Sequence, residues 1–502
     1  MISLKKITCL ALIGLLCLFF TGYAQIATKP EIYDIAPVPT SFPVGFGLYT
    51  FGNHQFVTYY DTAHYMTVAY RTLDSEVWEY KRLDSKVGWD SHNYIVLKMD
   101  SKGYIHLAGN MHVHPLVYFR SEKPFDIHSM KRIGQMTGKE EDQMTYPVFM
   151  DGPNGEFLFH YRQGMSGNGH EIFNVWDAER QMWSRMLDEP LLDGKGERNA
   201  YMQGPVAGPD GFFHLIWVWR DTPDCATNHT LSYARSKDLI HWESIDAKKV
   251  TLPITIDMEE LWVDDTPPGG GLFNPGIRLG FDCSGNVLIG YHKYDEKMNT
   301  QLFVARYEKD AWRKQQVTYW DFPWNFQGGG TIEMELTINT PMPSGNNQIL
   351  FGYNRKDTGG KVIVLDAVTL EYIGEKAYIN TLPEEINTVE SPYPGMKVNM
   401  AFDSGKPADN IRYMLRWETL PSNRDLKRTD DLLPDPSMLR LYCLPAMVEA
   451  QQPAYRDIFP DTWADTDSSG HDFPPEIRLE AYRLIDQIYD HKLDDPDWLF
   501  DN

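Results

Sequence analysis

Asp100-Ser-Lys-Gly-Tyr-Ile-His-Leu-Ala108 decides the fold, because a tight turn ending in Gly103 runs straight into alternating apolar residues. Alternation of period two marks a half-buried strand, and the Asp/Ser and Gly before it mark the turn that feeds it. The same phrase returns at Asp151-Gly-Pro-Asn-Gly155, Asp210-Gly211, Asp282-Cys-Ser-Gly285, Ser344-Gly345 and Asp403-Ser-Gly405. Its glycines are 52, 56, 74, 60 and 60 residues apart. A second phrase follows most of them, a strand ending in a charged turn and often Trp, as in Met66-Thr-Val-Ala-Tyr-Arg with Trp78 and Leu302-Phe-Val-Ala-Arg with Trp312. A period of roughly 50 to 75 residues holding about four short strands is what a β-propeller blade requires. Phe46 to about Met447 accommodates six to seven such repeats. The expected architecture is therefore all-β, one seven-bladed β-propeller. Two β-sandwiches would also use many short strands, but the even spacing without a Pro/Ser linker disfavours them.

Around this repeat the chain of 502 residues carries 13% aromatics, 38 Gly and 32 Pro, an all-β profile rich in turns. Residues 1–24 read as a signal peptide: Lys5 and Lys6, an apolar run from Ile7 to Phe20, and Gly22-Tyr23-Ala24 before the expected cut. That run is too short for a membrane span. Leu15-Leu16 ahead of Cys17 lacks the small residue of a lipoprotein site. The expected address is secreted or periplasmic. Residues 25–450 form the propeller domain, and 451–502 a C-terminal extension. In it Pro474-Pro475 open a helix with Ile477, Ala481, Leu484, Ile485 and Ile488 on one face, packing on the propeller rim. Cleavage leaves Cys225, Cys283 and Cys443, an odd and widely spaced set that reads as free buried thiols. The net charge of −23 argues against nucleic acid and anionic membranes as partners, and the protein reads as a monomer. An acidic substrate then needs a locally basic site, which is workable because salt confines the remote acidic field to roughly 8 Å.

Candidate chemistry gathers between Trp89 and Arg162. His92 precedes one strand and His112 follows the next, so a turn at Ser101–Gly103 brings both to one end of a hairpin. Tyr146 and Arg162, 16 residues apart across the following turn, come to one edge in the same way. Pro147 should hold Tyr146 extended. The run Gly164-Met-Ser-Gly-Asn-Gly169 is glycine-rich enough to let a ligand approach the backbone. Singly, each of these residues has an ordinary structural explanation. Together they form a polar His/His/Tyr/Arg set without the carboxylate pair that a glycosidase needs. Uronate β-elimination asks for this set instead. An Arg fork neutralises the carboxylate, and a base and an acid of moderate pKa serve C5 and the C4 leaving oxygen.

Trp89-Asp-Ser-His92-Asn, Gly-Asn-Met-His112-x-x-Pro-Leu-x-Tyr118-Phe-Arg120, Thr-Tyr146-Pro, Tyr-Arg162-x-Gly-x-Ser-Gly-Asn-Gly and Trp219-Arg220-Asp-Thr with Thr227-Asn-His229 resemble one family. It is that of the BNR-type seven-bladed propeller polysaccharide lyases, the ulvan lyase and L-rhamnose-α-1,4-D-glucuronate lyase group, and the likeness runs from about Phe46 to Trp320. The resemblance implies that His92 and Tyr146 are the acid/base pair, that Arg162 holds the uronate carboxylate and that His112 assists it. Arg220, Asn93, His114 and His292 are then expected substrate contacts. The implied reaction is β-elimination at the rhamnose-α-1,4-glucuronate linkage of an acidic glycan such as ulvan or rhamnose-capped arabinogalactan, leaving a 4,5-unsaturated uronate. Val113-His114 departs from the family pattern. Similar propellers act as α-L-rhamnosidases through a His on the opposite face, for which His54 is the candidate here; a non-catalytic glycan-binding propeller is the third reading. The chemistry needs no cofactor. Cys225, His229 and His292 carry ligand types suited to a structural Zn²⁺, and the loop aspartates leave a Ca²⁺ site open without an EF-type spacing. Ser236-Lys-Asp238-Leu-Ile-His-Trp242 resembles an Asp-box turn, a mark of fold rather than of catalysis, with Leu239 where Gly is usual.

Overall fold

The recurrent Asp–Gly turn is the joint between the first and second strands of a sheet, as at Asp100–Gly103, Asp151–Gly155, Asp210–Gly211 and Asp282–Gly285. In the computed structural model, which describes residues 30–344, 347–378, 382–408, 411–428 and 433–445, seven antiparallel sheets follow one another along the chain. The first contains Gly47–Phe51, His54–Tyr60, Tyr65–Thr72 and Glu79–Lys86 in that order. Gly103, Gly155, Gly211 and Gly285 all sit in first-to-second turns with φ between 78° and 82°. Asp100 shows why an acid opens the phrase: its Oδ1 accepts from the backbone N–H of Lys102 and Tyr104, bracing the turn. Asp282 does the same for Ser284 and Asn286.

Apolar clusters fill the spaces between neighbouring sheets. Ile216 and Val218 of the fourth sheet pack with Ile289 and Tyr291 of the fifth, for example. A strand pressed from both sides is buried on both faces, as His54–Tyr60 is from its second residue on. The ring closes in two ways. Gly47–Phe51 touches both Ile95–Met99 of the second sheet and Lys397–Phe402 of the seventh. The seventh sheet also takes its outermost strand from the other end of the chain: Glu31–Val38 pairs antiparallel with Ser437–Pro445. Phe46, leading into the first sheet, stacks on Trp417 of the seventh with ring centroids 4.6 Å apart. Both rings are buried, so Trp417→Ala should cost about 3–5 kcal/mol of stability in a denaturant titration.

The expected signal peptide and C-terminal helix lie outside the described residues. The described α-helix is the single turn Glu384–Asn387, and among the described residues no helix is long and apolar enough to cross a membrane. Cys225, Cys283 and Cys443 are free thiols, but Cys225 alone is buried and Cys283 is exposed, which corrects the expectation that all would be interior. In the Asp-box-like turn Asp238 Oδ1 accepts from Ile240 and His241 N–H. Leu239 takes a φ of 61° with its side chain buried, so packing holds it in a conformation that favours glycine.

Candidate active site

Turns from first to second strands lie on one face of the ring; the ends of second strands and the loops entering first strands lie on the other. His92, Tyr146 and Tyr201 enter or begin the first strands of sheets two, three and four, while Arg162 and Arg220 end the second strands of sheets three and four. All five reach the same face. His54 sits in a first-to-second turn on the opposite face, its Nδ1 2.8 Å from the Tyr70 hydroxyl and its ring stacked on Phe125 at 4.2 Å.

Asp90 organises the two histidines. One carboxylate oxygen lies 2.7 Å from His92 Nδ1 and the other 2.5 Å from His112 Nδ1, and the two imidazoles stack with centroids 4.3 Å apart. Nδ1–H of each ring therefore donates to the shared carboxylate, leaving Nε2 as the atom for proton transfer. His112 gets there by leaving its own sheet. His112–His114 pairs with the third sheet, His112 opposite Thr145, and the Val113 N–H donates to Thr145 Oγ1 at 2.8 Å. Asp425, from the seventh sheet's second-to-third connection, brings a second carboxylate to 3.4 Å from His92 Nδ1.

Burial works against the charge on Asp90, but its two imidazole partners hold its pKa well below the ordinary carboxylate value. Burial likewise opposes charge on His92, yet the hydrogen bond and charge of Asp90, with Asp425 beside it, raise its pKa. His112 moves the other way: burial, then the like charges of His92 and Arg162, outweigh Asp90 and lower it. Within the stacked pair a proton is therefore favoured on His92 over His112. Because the folded-state pKa of Asp90 is depressed, its contribution to stability is full above the ordinary carboxylate range and is lost as pH falls through it. The unfolding temperature of Asp90→Asn should consequently depend less on pH in acid than that of the parent protein, as calorimetry across pH 5 to about 2 would show.

Tyr146 corrects one expectation. It is not extended: its φ is 56°, in a bulge between Thr145 and Val148 of the third sheet. Left-handed backbone at a bulky residue is strained and persists where the surroundings fix it. Here it sets the phenol 6.0 Å from the His92 ring, 6.2 Å from His112 and 6.2 Å from Tyr201, centroid to centroid. Arg162 lies 5.0 Å from the Tyr146 ring centre and 5.5 Å from that of Tyr201. Arg162 is 1% exposed, and none of its three nitrogens makes a well-formed hydrogen bond among the described residues. Burial opposes its charge, but Tyr201, Tyr146 and Glu171 favour it and raise its pKa. Gly169 makes room for this side chain: a Cβ there would stand 3.2 Å from Arg162 Cδ. Gly167, with φ of 83°, is pressed against Thr222, so the glycine-rich turn admits the protein's own chain rather than a ligand.

Tyr201 was not among the expected residues. Its hydroxyl donates to Ser166 Oγ at 2.9 Å and accepts from Arg220 Nη1 at 3.0 Å, with the Arg220 guanidinium 4.1 Å from its ring centre. Burial alone would raise its pKa, but Arg220 and Arg162 bring it down to about 8. Tyr146 is raised by burial and by the neighbouring phenol, against the pull of the two guanidiniums.

The other expected residues divide. Arg220 has its donors taken up by Asn228, Ser166, Tyr201 and Asn274, so it acts through Tyr201 rather than as a free fork. Asn93 is buried, its backbone carbonyl accepting from Tyr60. His114 is exposed, its Nδ1 on the His112 carbonyl at 2.7 Å. His292 is fully buried behind Gly276 and beside Trp324 and Phe326, away from any groove surface. The expected zinc set does not assemble. His229 has Nδ1 on Thr230 and Nε2 on Asp221, and among the described residues the trio whose ligand atoms approach within 4.8 Å is Asp90, His92 and His112. In that trio both Nδ1 atoms lie on the Asp90 carboxylate at hydrogen-bond distance.

Comparison with known proteins adds three findings. Residues 54–320 match the sequence profile of the BNR repeat-containing family. A segment is 27% identical over 168 residues to the short isoform of an ulvan lyase from Alteromonas sp. (strain LOR), covering 29% of this chain and 31% of that relative. The fold is similar to the crystal structure of the polysaccharide lyase Uly1 (TM-score 0.54, 14% identity, 83% of this chain and 99% of the other). It is also similar to that of a PL25 ulvan lyase bound to -[GlcA(1-4)Rha3S]- (TM-score 0.52, 13% identity, 83% and 96%).

Proposed function

We propose that this chain, which belongs to the BNR repeat-containing family, is a secreted polysaccharide lyase that cleaves the rhamnose-α-1,4-glucuronate linkage of an acidic glycan by β-elimination. One observation carries this reading: a buried guanidinium with unsatisfied donors, walled by two phenols and facing two imidazoles. A desolvated cation without partners costs stability, and a site that keeps one is built to receive an anion. The planar fork of Arg162 fits a carboxylate bidentately. Neutralising the uronate carboxylate in this way makes the C5 hydrogen removable.

His92 and Tyr146 form the acid/base pair. The raised pKa of His92 keeps its imidazolium available to protonate O4 as the C4–O4 bond breaks. Two phenols beside two guanidiniums repel a second negative charge, so they share a single phenolate between them. Arg220 and Arg162 favour that phenolate on Tyr201, and Tyr146, the more exposed of the two, is its outlet towards C5. The C5–H electrons become the C4=C5 bond, the proton passes to the phenolate, and the leaving oxygen takes its proton from His92. His112, its pKa lowered by burial, stacks on His92 and keeps that ring in register.

The test is direct. Ulvan and rhamnose-capped arabinogalactan are incubated with the protein, and ultraviolet absorbance of the unsaturated uronate is followed alongside free rhamnose. Absorbance without stoichiometric saturated product supports elimination. Free rhamnose without absorbance overturns it in favour of hydrolysis, and binding with neither product leaves a lectin-like propeller.

A further inference from the structure

Between the second and third strands of the seventh sheet, Arg424 and Asp425 are consecutive non-glycine residues with φ of 50° and 61°. Two adjacent left-handed side-chain-bearing residues are strained, and such strain is retained where something over-determines it. What fixes it here is a set of hydrogen bonds to parts of the chain that are remote in sequence. Asp425 Oδ1 accepts from the Ser91 N–H at 3.1 Å and the Ser91 hydroxyl at 2.8 Å. Its Oδ2 accepts from the Thr331 N–H at 2.8 Å, and the Thr331 hydroxyl lies 3.0 Å from Oδ1. Ser91 and Thr331 hydroxyls also meet each other at 2.6 Å. Arg424 completes the strap by donating to the carbonyls of Gln327 and Gly329. One turn of the seventh sheet thus clasps the loop entering the second sheet and the loop entering the sixth.

Ser91 is the residue before His92, and the same Asp425 carboxylate stands 3.4 Å from His92 Nδ1. We propose that Asp425 is a positioning residue for His92, fixing the Ser91–His92 turn from across the ring and supplying the outer of two carboxylates that face its imidazole. The proposal rests on the lyase reading for its kinetic consequence, but not for its effect on His92 itself. The charged and titratable groups facing His92 are Asp90 on its own loop, Asp425 from the seventh sheet, His112 stacked on it, and Tyr146 and Tyr201 from sheets three and four. Asp90 serves both imidazoles, one through each carboxylate oxygen. Asp425 has an ion-pair contact with His92 and none with His112 among the described residues, so it places the charge on one ring of the pair.

Asp425→Asn keeps the shape and an acceptor for Ser91 and the Thr331 hydroxyl, but it loses the acceptor for the Thr331 N–H and removes the charge. Thr331→Val removes strap hydrogen bonds and keeps the charge. Histidine titration by NMR on the full-length protein, with His92→Gln assigning the resonance, is expected to show the His92 midpoint falling by about one pH unit in Asp425→Asn. It should be unchanged in Thr331→Val and restored in Asp425→Glu. On a uronate glycan, Asp425→Asn should lower kcat about tenfold with KM within about twofold, and the loss should be smallest at low pH, where His92 is protonated in either form. An unshifted His92 midpoint in Asp425→Asn, or an equal shift in Thr331→Val, overturns the proposal. If the midpoint moves as stated while the parent protein yields no unsaturated product, the positioning role stands and the lyase reading falls.

Discussion

Arg162→Met should abolish elimination while leaving the protein at least as stable as its parent. The guanidinium is fully enclosed, and its three nitrogens lack well-formed partners among the described residues, so the folded state carries the desolvation cost without the matching bonds. Replacing a buried cation of that kind by an apolar side chain of similar length is neutral or stabilising. Catalysis behaves in the opposite way. The carboxylate-bound enolate that develops at C5 loses its nearest positive charge, a loss comparable to that of an oxyanion donor, about 3–4 kcal/mol or roughly 10²–10³ in kcat/KM. Arg162→Lys should recover little, since an ammonium cannot offer the two parallel donors that a carboxylate accepts. The control is His54→Ala on the opposite face, expected to leave the elimination rate within about twofold. Thermal unfolding measured beside the ultraviolet assay separates the two effects. Equal activity losses at Arg162 and His54 would remove Arg162 from the site.

Tyr146→Phe tests the base. It keeps the ring against His92, His112 and Tyr201 and removes one oxygen, so the strained backbone and the packing should survive. A positioned acid or base contributes roughly 10²–10⁴ in rate, and the loss is expected in kcat with KM little changed, because Arg162 still binds the carboxylate. The pH profile adds a second signature. Arg220 and Arg162 bring the Tyr201 end of the phenol pair to about 8, so activity of the parent protein should rise with pH towards that value as the phenolate forms. Deprotonation of His92, whose pKa Asp90 and Asp425 raise against burial, supplies the falling limb. The rising limb should vanish from the residual activity of Tyr146→Phe. A Tyr146→Phe protein with unchanged kcat would transfer the base to another group.

The parts of this arrangement that were legible in the sequence are those set by local chain geometry. An Asp that braces its own turn and a Gly that takes positive φ announce the first-to-second joint of a sheet, and Asp100–Gly103 and Asp282–Gly285 do so. Hairpin spacing likewise brings Arg162 opposite Thr145, next to Tyr146. What was not legible depends on chain segments meeting from afar. Nothing local says that His112 will abandon its own sheet for the third, or that Asp90 will serve two imidazoles at once. Asp425 reaches Ser91 across 334 positions of sequence. Tyr201 looks like any strand tyrosine until two guanidiniums are placed on it. Pro147 argued for an extended Tyr146, and the bulge between Thr145 and Val148 outweighed that preference. His292 shows the opposite error, a polar residue at a strand end that packing encloses among Trp324 and Phe326.

The pairing of Glu31–Val38 with Ser437–Pro445 has a temporal side. The strand that fastens the ring is made early, and its partner emerges some 400 residues later, after all the other sheets have been synthesised. Loop-closure entropy of that span must be met in a single late step, and until then the strand Glu31–Val38 and the unfinished seventh sheet each present an unpaired edge to neighbouring chains. A nascent chain of this design therefore depends on being held apart from its siblings until the final strand arrives. Shortening it from the carboxyl side past residue 437 should yield inclusion bodies rather than a smaller propeller.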